Sequence, residues 1–151
     1  MFEKVTAVFF DLDGTLVDSV PDLAAAVNVM LLQLGLPARD EAQVRTWVGN
    51  GMNNLIRRAL ANDMAGEVEP ALFTRARPLS KAAYADHISV YSALYPGVQE
   101  GLVALAATGL PLACVTNKAA EFALPLLERL GIDHFFATVV HLSPTWNVSV
   151  P

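Results

Sequence analysis

Charge is scarce in this chain: charged side chains make up 17% of its 151 residues, against 54% that are hydrophobic. Such a composition excludes a disordered or coiled-coil protein. Basic residues number ten against fifteen acidic ones, a net charge of −5. A general nucleic-acid binder needs a basic face and is therefore not expected. One cysteine, Cys114, excludes an internal disulfide and a cysteine-based zinc site. It stands in an apolar run and reads as a buried thiol. His87, His134 and His141 show no metal-ligand spacing. Long apolar runs are also missing, although mean hydropathy is +0.41. Asn28, Gln33, Arg57, Arg58 and Glu128 break them up, and none approaches the ~18 residues of a membrane span. The opening apolar stretch, Val5 to Phe10, is too short for a signal-peptide core. The expectation is a cytoplasmic protein with no membrane and no nucleic-acid partner.

What is present is an alternation of short apolar runs and helical periodicity. The length suits one ordinary domain, or a small core carrying an insert. Val5–Phe10 is β-branched and aromatic and predicts a buried strand ending at Asp11. Leu23, Val27, Met30, Leu31 and Leu34 recur at helical spacing. Asp18 or Ser19 can cap that helix, and Gly35 stops it. Further helices are expected from about Asp40 to Val48 and over the stretch carrying Met52, Leu55, Ile56, Ala59 and Leu60. Weaker helical signal runs from Pro70 to Leu94, with a break or kink at Pro78. Beyond the Tyr95-Pro96-Gly97 turn, a helix bearing Val98, Leu102 and Leu105 precedes a second strand, Leu110–Val115. A helix with Phe122, Leu126 and Leu130, containing an awkward Pro125, leads to a third strand, Phe136–Val140. Strand, helix and strand in alternation predict an α/β fold with a parallel sheet.

In a parallel sheet, binding sites gather at the carboxyl ends of strands. Two polar clusters fall there. Asp11 and Asp13 follow the first strand, with Gly14 permitting a tight turn. Thr116, Asn117 and Lys118 follow the second. Two carboxylates this close repel unless a cation or shared proton intervenes, and a hard ion such as Mg²⁺ suits oxygen ligands. One carboxylate can attack phosphorus while the other passes protons. A threonine hydroxyl and loop N–H groups can hold phosphoryl oxygens. In the helical insert, Gly49, Asn50 and Gly51 can present N–H groups to an anion at a helix start. They serve equally as a plain helix–helix turn. Arg57 and Arg58 read as a solvated face, Lys118 as a surface lysine, and Trp47 as packing within the insert.

The run Phe9-Phe10-Asp11-Leu12-Asp13-Gly14-Thr15-Leu16-Val17-Asp18-Ser19 resembles the first motif of the haloacid dehalogenase superfamily. Val115-Thr116-Asn117-Lys118 resembles its second motif. With Trp47-Val48-Gly49-Asn50-Gly51 and Tyr95-Pro96-Gly97-Val98, the chain is similar to the bacterial phosphoglycolate phosphatase branch over Val5 to Val140. The resemblance implies a Rossmann-like core formed by residues 1–15 and 95–140, with a helical cap inserted at 16–94. It implies a Mg²⁺-dependent phosphomonoesterase acting on a small phosphorylated metabolite. Asp11 would be the nucleophile and Asp13 the acid/base. Both would serve the metal, Asp13 through its main-chain carbonyl. Thr116 and Asn117 would bind phosphate, and Gly49, Asn50 and Gly51 would set specificity. An aspartate at position 13 favours phosphoryl transfer over dehalogenation.

The resemblance stops at His141. The family's downstream lysine and metal-binding aspartates are not found in residues 141–151, which read as an unrelated tail. The family's strands four and five are not found either. Strand one, with Phe9 and Phe10, is then an exposed sheet edge, and self-association or partner binding through it is the alternative expectation.

Overall fold

The computed structural model describes residues 4–142 and 147–149. The chain divides into two compact units: residues up to Asp18 together with those from Ala93 onward, and Ser19–Ser92.

The first unit is built on a four-stranded sheet. Its strands are β1 (Val8–Phe10), β4 (Leu112–Thr116), β5 (Thr138–His141) and β6 (Asn147–Ser149), lying side by side in that order. β1 and β4 are parallel, with Phe10 opposite Cys114. β4 and β5 are also parallel, with Thr116 opposite His141. The expected alternation is therefore present. The antiparallel β6 pairs with β5, placing a strand where the sequence suggested only a tail. Helices α5 (Val98–Ala106) and α6 (Ala120–Arg129) connect the strands. α6 buries Phe122, Ala123, Leu126 and Leu127, the face that its period anticipates. Pro125 lies within it.

β1 corrects the reading of Val5–Phe10 as a buried strand. Only three residues pair, none is fully buried, and Phe9 is 67% exposed. The cause is position: among the described residues β1 has a neighbour on one side alone, so half its surface lacks a cover. Phe10 does find a partner, meeting the Phe136 ring edge-on at 6.2 Å between centroids.

The residues expected to open and close the insert belong to this first unit. β2 (Val17–Asp18) pairs antiparallel with β3 (Ala93–Leu94), and the Tyr95 N–H donates to the Leu16 carbonyl at 3.1 Å. Two-residue strands carry no alternation, so a sequence pattern cannot reveal them.

The second unit is helical: α1 (Val20–Gln33), α2 (Glu41–Trp47), α3 (Met52–Ala61) and α4 (Pro70–Asp86). Ser19 takes the N-cap position of α1 without a side-chain capping bond. Leu23, Val27, Met30 and Leu31 of α1 pack into a core with Val44, Trp47, Leu55, Ile56, Ala76 and Tyr84. Asn28 is polar for a reason: it bonds both the N–H and the carbonyl of Arg39, at 2.8 and 2.9 Å. α4 runs through Pro78 instead of stopping there. Pro78 removes the bond that the Thr74 carbonyl would receive, but both residues are exposed, so water can replace it.

Candidate active site

The acidic loop begins where β1 ends. Leu12 is fully buried, while Asp11 on one side is exposed and Asp13 on the other is partly buried. Burying the middle residue turns both carboxylates away from the apolar interior. The loop is then closed by its own backbone. Leu12 offers its carbonyl to the N–H groups of Leu16 and Val17 at 3.0 and 3.1 Å. The Gly14 N–H donates to the Val17 carbonyl at 2.8 Å. Gly14 holds φ at +80°, which glycine tolerates and other residues resist. The Asp11 Oδ1 accepts the Leu12 N–H at 2.7 Å.

β4 delivers the second cluster at the same end of the sheet. Its last residue, Thr116, is buried, and its Oγ1 accepts the Lys118 N–H at 3.1 Å. That use as an acceptor leaves the hydroxyl proton for a further partner. Asn117 is the exposed residue of the turn. Lys118 corrects the reading of a surface lysine. Its side chain is 5% exposed, and its Nζ lies 2.9 and 3.1 Å from the two carboxylate oxygens of Asp13. His141, counted as an ordinary tail residue, is buried at the end of β5. Its Nδ1 lies 3.0 Å from the Lys118 carbonyl. A carbonyl only accepts, so Nδ1 carries the proton.

The two acids are felt beneath the loop. Cys114, buried on β4, has its thiol pushed up to about 12, first by burial and then by the negative charges of Asp11 and Asp13. It is the inert thiol that its apolar setting suggested.

For a metal, Asp11 offers a carboxylate and Asp13 a main-chain carbonyl. The Asp13 carboxylate itself is engaged by Lys118. Hard oxygens of this kind fit Mg²⁺, which retains several waters in preference to a full protein cage. Among the described residues no group of three or more His, Cys, Asp or Glu side chains is placed to hold an ion.

Gly49, Asn50 and Gly51 lie in the helical unit. All three have positive φ, +119°, +60° and +85°, between the end of α2 and the start of α3. Of the neighbouring arginines, Arg57 is exposed as expected, whereas Arg58 is partly buried and bonded to the turn. Arg58 donates to the carbonyls of Trp47 at 2.7 Å and Gly49 at 3.4 Å, and to the Asn50 Oδ1 at 3.2 Å. Arg57 stacks 4.1 Å above the Phe73 ring.

A parallel α/β core, an acidic loop leaving its first strand and a helical unit inserted straight after define a known architectural class. The sequence family described as haloacid dehalogenase-like hydrolase matches residues 8–148, and the chain belongs to it. That match continues past His141, where the resemblance was expected to end. Among curated relatives, a phosphoglycolate phosphatase of Nitrosococcus oceani is 50% identical over 140 residues, covering 93% of this chain and 62% of its own. One from Nitrosospira multiformis is 45% identical over 136 residues, covering 90% of this chain and 60% of its own. The crystal structure of a predicted phosphoglycolate phosphatase from Haemophilus somnus superposes with a TM-score of 0.81 at 39% identity, covering 89% of this chain and 61% of that one. The chain thus spans about 60% of the length of the curated relatives it matches.

Proposed function

We propose that this chain carries the catalytic pair of a phosphomonoesterase that hydrolyses 2-phosphoglycolate through an aspartyl-phosphate intermediate. The observation that supports it best is the division between the two acids. Asp11 is exposed at the carboxyl end of β1, and Asp13 is held two residues on by a buried cation. In this reading an Asp11 oxygen attacks phosphorus and the ester P–O bond breaks. The leaving alkoxide takes a proton by way of the Asp13 carboxyl. Water then attacks the phosphorus of the aspartyl phosphate, Asp13 takes a proton from it, and Asp11 is released. Thr116 and Asn117 hold the phosphoryl oxygens as donors. The Asp11 carboxylate and the Asp13 carbonyl would hold Mg²⁺, which supplies positive charge against the phosphoryl oxygens when bound. Gly49, Asn50 and Gly51 supply the contact to the substrate carboxylate. The likeness to relatives that are phosphoglycolate phosphatases supports the choice of substrate. No helix among the described residues is long and apolar enough to cross a membrane, and the cytoplasm is the proposed location.

The test is phosphate release by the purified chain with Mg²⁺, across a panel of 2-phosphoglycolate and sugar phosphates. Release from 2-phosphoglycolate should exceed the others and fall by about a thousand-fold or more in Asp11→Asn. Equal release by Asp11→Asn defeats the proposal. Preference for a sugar phosphate transfers the chemistry to another substrate.

A second reading is favoured by Phe9, a large apolar side chain 67% exposed on the edge of β1 that pairs with no strand among the described residues. In this reading the chain self-associates along that edge.

A further inference from the structure

We infer that Lys118 is a positioning residue, which fixes the acid/base Asp13 and does not bind the phosphoryl group. The inference rests on the phosphomonoesterase reading of Asp11 and Asp13.

A single ammonium reaches both oxygens of the Asp13 carboxylate, at 2.9 and 3.1 Å. Contact to both oxygens fixes the carboxylate plane as well as its distance. The pair is shielded, with side-chain exposures of 5% for Lys118 and 20% for Asp13. A lysine so withdrawn from water must be paired where it stands, because an unpaired buried ammonium is costly.

Both ends of the link are themselves anchored. At the lysine end, the Lys118 N–H donates to Thr116 Oγ1 at 3.1 Å, and the Lys118 carbonyl accepts His141 Nδ1–H at 3.0 Å. The Thr116 carbonyl accepts the Leu142 N–H at 2.7 Å. The flexible lysine stem therefore starts from a backbone held on β4 and β5 together. At the aspartate end, buried Leu12 and the Gly14 to Val17 bond fix the loop. The link joins residues 105 positions apart, so it locks one catalytic loop to the other.

The geometry also separates the roles of the two acids. Asp11 is exposed and takes a main-chain N–H, whereas Asp13 takes the cation. The exposed part of the turn holds Asn117, while Lys118 is turned to Asp13.

The experiment compares wild type, Lys118→Met and Lys118→Arg in the full chain, measuring kcat and KM for 2-phosphoglycolate and inhibition by inorganic phosphate. Positioning predicts that Lys118→Met lowers kcat about 10- to 100-fold while KM and the phosphate inhibition constant stay within about two-fold. Lys118→Arg should restore most of kcat, because a guanidinium can grip both carboxylate oxygens. An unchanged kcat overturns the inference. So does a joint rise of KM and the phosphate constant at constant kcat, which would make Lys118 a phosphate ligand. If Lys118→Met does not fold, Lys118→Gln makes the same comparison. A double-mutant cycle with Asp13→Asn on urea unfolding adds a readout that needs no turnover. Single effects that add without remainder overturn the anchoring. Coupling in a wild type that releases no phosphate defeats the phosphomonoesterase reading, and with it the catalytic role, but leaves the anchor standing.

Discussion

The Asp22 carboxylate accepts the Ser92 hydroxyl at 2.5 Å, across 70 positions of sequence. The same carboxylate accepts the Ser92 N–H at 2.8 Å and the Tyr91 N–H at 2.9 and 3.1 Å. Asp22 has no exposed surface and stands in the first turn of α1, where the helix dipole also favours a negative charge. It therefore ties the beginning of the helical unit to its end. Asp22→Ala leaves two amides and a hydroxyl without their acceptor and should cost about 3–5 kcal/mol. Asp22→Asn keeps one acceptor oxygen and should cost about 1–3 kcal/mol. Urea unfolding, with limited proteolysis mapped to residues 19–92, checks both figures. A loss below about 1 kcal/mol in Asp22→Ala would show that the tie contributes little.

Arg58 performs a similar service for the Gly49–Gly51 turn. Three successive residues with positive φ are held by one guanidinium that reaches the Trp47 and Gly49 carbonyls and the Asn50 side chain. Its Nε adds a bond to the Met64 carbonyl at 3.3 Å. Lysine cannot cover several acceptors from one planar fork. Arg58→Lys and Arg58→Ala should therefore lose stability alike, by about 1–2 kcal/mol, and both should raise KM for 2-phosphoglycolate more than they lower kcat. A KM unchanged in both variants would separate this turn from substrate binding.

The sequence disclosed whatever local periodicity encodes. The first helix of the second unit was legible because Gly35 stops it and its apolar residues recur three or four positions apart. The parallel strands were legible as short apolar runs ended by polar residues. The acidic loop was legible because Asp11, Asp13 and Gly14 follow an apolar run directly, in a stretch that resembles a known motif. Pairings that depend on distant parts of the chain were hidden. Nothing local distinguishes Lys118 from a solvated lysine, since its burial depends on Asp13, 105 positions earlier. His141 is similarly mute until β5 stands beside β4. The exposed edge at Phe9 was expected only through the resemblance, which left strand one uncovered; no local pattern in Val5–Phe10 carries it. Pro78 does not end α4, because the Thr74 carbonyl it leaves without a donor is open to water.

Cys114 supplies a prediction about pH. Its thiol is pushed up to about 12 in the folded chain, from an ordinary value of 9.0. Below pH 9 the thiol is neutral in both states and contributes no pH dependence. Between about 9 and 12 the unfolded chain loses this proton while the folded chain keeps it, so stability falls as pH rises. The slope from this one group is at most about 1.4 kcal/mol per pH unit. Cys114→Ala should flatten the decline in urea midpoint over that range, besides costing a constant amount for the lost packing. In the native chain at pH 8, a disulfide reagent should react with Cys114 only at the rate of unfolding, and at once in urea. Fast reaction without denaturant would contradict the burial.

The edge of β1 makes a prediction independent of chemistry. A strand with one side unpaired offers N–H and carbonyl groups to a second strand, and natural edges are guarded by charge, proline or a bulge. β1 carries none of these within Val8–Phe10, and it adds an exposed phenyl ring at Phe9. Sedimentation velocity of the purified chain should show association that grows with concentration. Phe9→Lys places a charge in the middle of the strand and should shift the distribution towards monomer. Because Phe9 is exposed, that substitution should change thermal stability little in dilute solution, by about 0.5 kcal/mol or less. The wild-type chain running as a monomer across the whole concentration range would remove self-association from consideration. Association that persists in Phe9→Lys would move the contact to a surface other than β1.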